Sequence, residues 1–234
     1  VLGQVINACV SLTVYTLAKQ LGKDWRIGLL AAIFVTLVTK MPGYYLTWGR
    51  YTLLIGVMLL PVAMAEALRA WECHDRWWKL AGLSLLTAGV LLSHYFTAFL
   101  LVLFFAALGI QWLVQTIRNK SADWKLIVSI ALSALMGLIL TSRWYYRIFV
   151  YSSAASRPVF RVMESETLKT AWNYLYYLVG PISGYILIGF GLIGLLWSVF
   201  STKKVHFQLW ALLVLFFALP TGLRLMNFRY DYFA

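Results

Sequence analysis

Four clusters of polar and aromatic residues along this chain have the chemistry to hold an anion. The first is Lys40-Met41-Pro42-Gly43-Tyr44-Tyr45-Leu46-Thr47-Trp48-Gly49-Arg50-Tyr51. Pro42-Gly43 breaks an apolar run there, and Gly49 offers a bend beside Arg50. A guanidinium grips a phosphate through two parallel hydrogen bonds, and Trp48 offers a surface for a sugar or lipid. The bland alternative is an arginine that snorkels its head into water. The second cluster is Ser93-His94-Tyr95, between two apolar stretches. His94 can donate to a phosphate or a sugar hydroxyl, or it can cap a helix end. The third is Arg143-Trp144-Tyr145-Tyr146-Arg147. On a helix the two arginines share a face and repel each other unless an anion sits between them. A phosphate headgroup suits that gap, and anionic bilayer lipid suits it equally. The fourth cluster holds Arg224, Arg229 and Asp231. Arg229 and Asp231 can simply pair, and Asp231 is a weak candidate for a general base.

The absences narrow the chemistry. No phosphate-binding glycine loop, dinucleotide fingerprint, HExxH or CxxC is present. His74 and His206 are expected on the face opposite His94, so no metal site is expected; a divalent metal has no ligand set to support it, and no cofactor is identified. Few acidic residues fall inside apolar runs, which counts against a proton- or sodium-coupled transporter.

Something must position these clusters, and composition says what. Of 234 residues, 62% are hydrophobic and only 12% charged. A soluble domain carries roughly a quarter charged residues, and a disordered chain still more. The expected fold is all-α: a polytopic transmembrane helix bundle of about eight spans with an external amphipathic helix. The spans are Val1–Ala18, Trp25–Met41, Tyr51–Leu68, Trp77–Ser93, Phe96–Ile117, Trp124–Ser142, Pro181–Phe200 and Val205–Pro220. The stretch Leu80–Ile117 carries no charge. As one helix it would run about 57 Å, nearly twice the hydrocarbon core. A turn is therefore required, and Ser93-His94-Tyr95 is the one polar tripeptide available for it.

Alternate loops sort the charges. Four compact loops hold Lys19, Lys23, Arg26, Arg69, Arg76, Lys79, Arg118, Lys120, Lys125, Lys203 and Lys204. The other side holds Lys40, Arg50, Arg143, Arg147, Arg157, Arg161, Lys169, Arg224 and Arg229, spread over about twice as much chain. The positive-inside rule makes the denser set cytoplasmic. All four clusters then face outward, in a prokaryotic plasma membrane, with both chain ends outside. Tyrosine follows them: every tyrosine except Tyr15 falls at or near the outer side, and Tyr95, Tyr145 and Tyr146 are expected, with Trp48, to contact a sugar or lipid. Residues 142–181 form the longest outer connection. Within it Glu166–Leu178 carries an apolar stripe at helical spacing and suits a helix lying in the headgroup plane. Residues 1–234 are expected to be one integral membrane domain, a fragment of a longer chain, because the sequence opens and closes inside apolar runs.

Four stretches carry a family resemblance: Leu2-Gly3-Gln4-Val5-Ile6-Asn7-Ala8, Trp48-Gly49-Arg50-Tyr51-Thr52, Leu92-Ser93-His94-Tyr95-Phe96-Thr97-Ala98 and the closing Leu223–Ala234. Their order resembles the GT-C class of polytopic membrane glycosyltransferases. That resemblance implies transfer of a sugar from a polyprenyl-phosphate-linked donor at the outer face. It implies phosphate contact by Arg50 and by Arg224 or Arg229. The family's catalytic carboxylate lies in an external loop after the first helix, which this sequence lacks, so the acid/base stays unassigned. The expected partners are membrane lipids and a lipid-linked sugar donor, with no nucleic acid. The rival expectation is a non-enzymatic polytopic protein: a lipid or polyprenyl-phosphate transporter, or a scaffold. An ion channel has no filter or charged ring to support it.

Overall fold

The computed structural model describes residues 1–39, 43–47, 49–72, 77–121, 123–155, 185, 189–194, 196 and 205–218. The described residues are helical with short links. The helices are α1 (Leu2–Gly22), α2 (Trp25–Ile33), α3 (Tyr44–Thr47), α4 (Tyr51–Glu72), α5 (Trp77–Ser93), α6 (Tyr95–Asn119), α7 (Trp124–Ala155) and α8 (Val205–Ala218). Trp48, Arg224, Arg229, Asp231 and the amphipathic stretch Glu166–Leu178 lie outside the described residues.

Local chemistry sets the boundaries. Lys23 closes α1 in the left-handed region, with φ 55°. Asp24 follows and caps α2 by accepting the Arg26 amide at 2.9 Å, so two residues suffice to reverse the chain. Gly28 makes that hairpin tight: a Cβ there would stand 2.9 Å from the Tyr15 carbonyl. α2 loosens into a π-helical turn, Phe34–Val38, where the Thr39 amide donates to Phe34 O at 3.3 Å. The helical run therefore stops short of Met41. Gly49, at φ 66°, turns the chain from α3 into α4. Pro61 lies buried inside α4, which continues through it. Neighbouring helices commonly make such prolines tolerable at membrane depth. Between α6 and α7, Lys120 takes φ 51°, and Asp123 caps α7 by accepting the Leu126 amide at 3.1 Å.

Among the described residues three helices are long and apolar enough to cross a membrane: Tyr51–Glu72, Tyr95–Asn119 and, within α7, Trp124–Arg147. Trp25–Val38 and Leu80–Ser93 are shorter apolar helices. The chain does turn within the uncharged stretch, and it does so at His94 alone. α7 differs from expectation. It passes Ser142 and stays helical to Ala155, so the segment 142–181 begins as helix rather than loop.

The main core joins Leu60, Met64 and Leu68 of α4, Leu83 and Val90 of α5, Leu101, Phe104 and Leu108 of α6, and Leu126 and Ile130 of α7. Ala63 and Ala67 of α4 are fully buried; small residues let backbones approach where lipid removes the hydrophobic drive for association. α8 docks on α6, with Trp210 Nε1 donating to Leu100 O at 3.1 Å and its ring edge-on to Phe104. A second cluster, Ile6, Val10 and Leu54, binds α1 to α4, with Tyr45 and Leu46 packed on it.

Candidate functional site

The contacts define two ends of the bundle. At one end Gly3 of α1 meets Leu46 and Tyr51, and Gly56 of α4 meets Ser93 and Thr97. The Tyr145 hydroxyl of α7 donates to Leu91 O at 2.8 Å at this end. At the other end Gln20 donates to Glu72 at 3.0 Å, Lys23 pairs with Glu72, and Arg69 pairs with Glu66. Trp112 there donates to Asp123 O at 3.0 Å and meets the Trp124 ring.

Charge divides along the same lines. The second end holds Lys19, Lys23, Arg26, Arg69, Arg118, Lys120 and Lys125, and with them Asp24, Glu66, Glu72 and Asp123. Those four are the carboxylates of the described residues, and none stands at the first end. The first end has Arg50, Arg143 and Arg147 instead. The four acidic residues thus stand where the lysines are.

Depth agrees as well. α4 spans about 33 Å and α6 about 37 Å at 1.5 Å per residue. Counted from Trp124, Arg143 stands about 29 Å along α7, one hydrocarbon thickness away. Arg50 before α4, His94 before α6 and Arg143–Arg147 on α7 thus lie toward the same end of the bundle. Because α7 is helical there, Arg143 and Arg147 are four residues apart on a helix, so they share the face expected of them. Both are exposed, as are Trp144 and Tyr146.

Arg50 sits at the start of α4. Its carbonyl accepts the Leu54 amide and its amide donates to Tyr45 O, both at 3.0 Å. This ties the arginine to α3 as well as to α4. Its charge reaches two neighbours. Burial raises the Tyr45 pKa above 10.0, with Arg50 pulling the other way. Tyr45 was not among the expected site residues, although it stands in the same motif five residues from Arg50.

His94 caps α6. Its Nδ1 accepts the Phe96 amide at 3.1 Å, in extended backbone with φ −160°. Its carbonyl takes the Thr97 hydroxyl at 2.8 Å, and Thr97 is fully buried. The ring lies 4.4 Å from that of Tyr95. Burial, and then the Arg50 charge, hold the His94 pKa below 6.5. The cap needs the neutral ring, since only an unprotonated Nδ1 accepts. With the folded pKa depressed, this contribution is complete above pH about 6.5 and disappears as pH falls through the lowered value. The detergent-solubilised protein should therefore lose melting temperature between pH 7.5 and 5. His94→Asn keeps a capping oxygen without the titration, and its loss over that range should be smaller. Equal losses in the two proteins would refute the linkage.

Tyr145 was expected to contact sugar or lipid. Its hydroxyl donates to one of the four C-terminal carbonyls of α5 that have no intrahelical partner, and so fastens α7 beside the His94 turn. Sequence periodicity alone could not show that partner. Among the described residues no group of three or more metal-ligating side chains converges. Comparisons with protein-family models, curated proteins and solved structures yield no match.

Proposed function

We propose that this protein is an integral membrane protein of about eight crossings that holds a polyprenyl-phosphate-linked sugar at its arginine-bearing end, on the side away from the cytosol, and transfers the sugar as a GT-C-like glycosyltransferase. The supporting observation is that Arg50, Arg143 and Arg147 lie toward one end of the bundle, where no described carboxylate stands. A lipid-linked donor needs its phosphate at that depth while its tail stays in hydrocarbon. In transfer, the bond between the anomeric carbon and the phosphate oxygen breaks, and a bond to an acceptor hydroxyl forms. Negative charge then builds on the leaving phosphate, where fixed guanidinium groups stabilise it. Arg224 and Arg229 belong to the same proposed rim, with Trp48, Tyr95 and Tyr146 as its aromatic walls. The acid/base residue is unassigned.

That same lack of a described carboxylate favours a second reading, a non-enzymatic lipid or polyprenyl-phosphate transporter or scaffold. One set of assays separates them. Sugar transfer from a polyprenyl-phosphate donor by the full-length protein should fall roughly tenfold or more for Arg50→Ala and for Arg143→Ala, the effect of losing one charged hydrogen bond or more. Wild-type rates in both variants would sink the phosphate grip. Flux of lipid phosphate without any transfer would favour the second reading.

A further inference from the structure

We propose that His94 is a neutral second donor, beside Arg50, to a phosphoryl oxygen: its Nδ1 is committed to the helix cap, so the proton it offers is on Nε2. The inference rests on the headgroup reading above and deepens it by assigning a tautomer and a role. The Phe96 amide donates to Nδ1 at 3.1 Å, and a neutral imidazole that accepts at one nitrogen carries its hydrogen on the other. The Thr97 hydroxyl, held on the His94 carbonyl at 2.8 Å, fixes the same turn from within the core. The Tyr95 ring flanks the imidazole. Arg50, which begins α4 across this crossing, is near enough for its charge to act on the ring.

The chemistry follows from the cap. A histidine of this kind cannot serve as a base at Nε2, which already bears a proton. It cannot serve at Nδ1 without giving up the first turn of α6. It can donate one directed hydrogen bond without adding a fourth full charge to the end that holds Arg50, Arg143 and Arg147. An arginine flanked by a neutral N–H donor matches an oxyanion with several acceptor lone pairs. A polyprenyl phosphate and a bilayer phosphodiester share that chemistry.

The discriminating substitution is His94→Asn, because asparagine caps a helix well while its amide N–H, on a shorter side chain, cannot extend as far from the backbone as the imidazole Nε2–H. Full-length protein in phosphatidylcholine nanodiscs is titrated with farnesyl phosphate, with phosphatidylglycerol nanodiscs as the second arm. We expect His94→Asn to weaken farnesyl phosphate binding roughly tenfold to a hundredfold at pH 7.5, with an unchanged melting temperature. Competition by phosphatidylglycerol would support the donor role and assign the phosphate to bilayer lipid; its failure to compete would support a lipid-linked donor. Nitrogen-15 spectra of the imidazole, with His74 and His206 as the other two histidines, should place the proton on Nε2. Wild-type affinity in His94→Asn, with Arg50→Ala weakened, would overturn the inference and leave the headgroup reading standing. Wild-type affinity in both, and in Arg143→Ala, would overturn the headgroup reading itself. A proton on Nδ1 would overturn the tautomer.

Discussion

Gly56→Leu should destabilise the protein by about 3 kcal/mol, the upper part of the overpacking range, and should abolish headgroup binding with it. A Cβ at Gly56 would already stand 2.9 Å from Ser93 Oγ and from Thr97 Cγ2, and closer still to Thr97 Oγ1. Thr97 has no exposed surface into which to retreat, and its hydroxyl is held on His94 O. A leucine must therefore push α4 away from the α5–α6 turn. That crossing sets Arg50 against His94, so stability and site should fail together. Gly109, also helical, has open space around it; Gly109→Ala should be neutral or stabilise by about 0.5–1 kcal/mol, because alanine is the better helix former. Thermal unfolding of the two variants in detergent checks the pair. A Gly56→Leu protein that melted with the wild type would mean that α4 does not approach the turn this closely.

Why the crossing sits there could be read only in part from the residues. The need for a turn between Leu80 and Ile117 follows from length: a helix of that extent has nowhere to go in a bilayer. His94 is the one histidine in the stretch, and its cap is the whole turn, one residue long. The close contact is different. Gly56 lies within a run of apolar residues, and nothing local distinguishes it from Gly109, whose neighbourhood is open. Only the identity of the facing helix decides which glycine is essential.

The same limit explains α7. In the sequence the apolar run stops at Arg143, and that stop reads as the end of the helix. Charge ends a span, but it does not end a helix. Ser142–Ala155 has no proline or glycine to stop one, and the helix runs on. The consequence for the candidate site is direct, since the i,i+4 geometry of the arginine pair exists only because the helix continues. The π turn at Phe34–Val38 is harder still. Its residues are ordinary apolar ones, and the Thr39 to Phe34 hydrogen bond that marks it is a backbone property. Tyr145 carries a structural role that its place beside the arginines does not announce: its hydroxyl donates to an orphan carbonyl of α5.

Reversing both charges on α7, Arg143→Glu with Arg147→Glu, should reduce sugar transfer or lipid-phosphate binding by at least about a hundredfold. Each arginine contributes hydrogen bonds to a charged group, worth about 1.5–3 kcal/mol, so losing both removes about 3 kcal/mol or more. Reversal then adds repulsion between carboxylates and phosphate at a level where no described acidic residue stands in the wild type. Stability should change little, because both side chains are exposed and the α5–α7 fastening at Tyr145 is untouched. The two carboxylates would repel each other across one helical turn by only a few tenths of a kcal/mol. Arg118→Glu is the control at the opposite end. It places one such charge reversal among the lysines and carboxylates there, and transfer should stay near wild type. High salt should discriminate further: a purely diffuse attraction to anionic lipid is screened over a Debye length of about 8 Å at physiological ionic strength, whereas a bidentate grip persists. If the double reversal left binding intact, or if Arg118→Glu reduced it equally, the arginine end would be a snorkelling rim, and the ligand would have to be sought elsewhere in the chain.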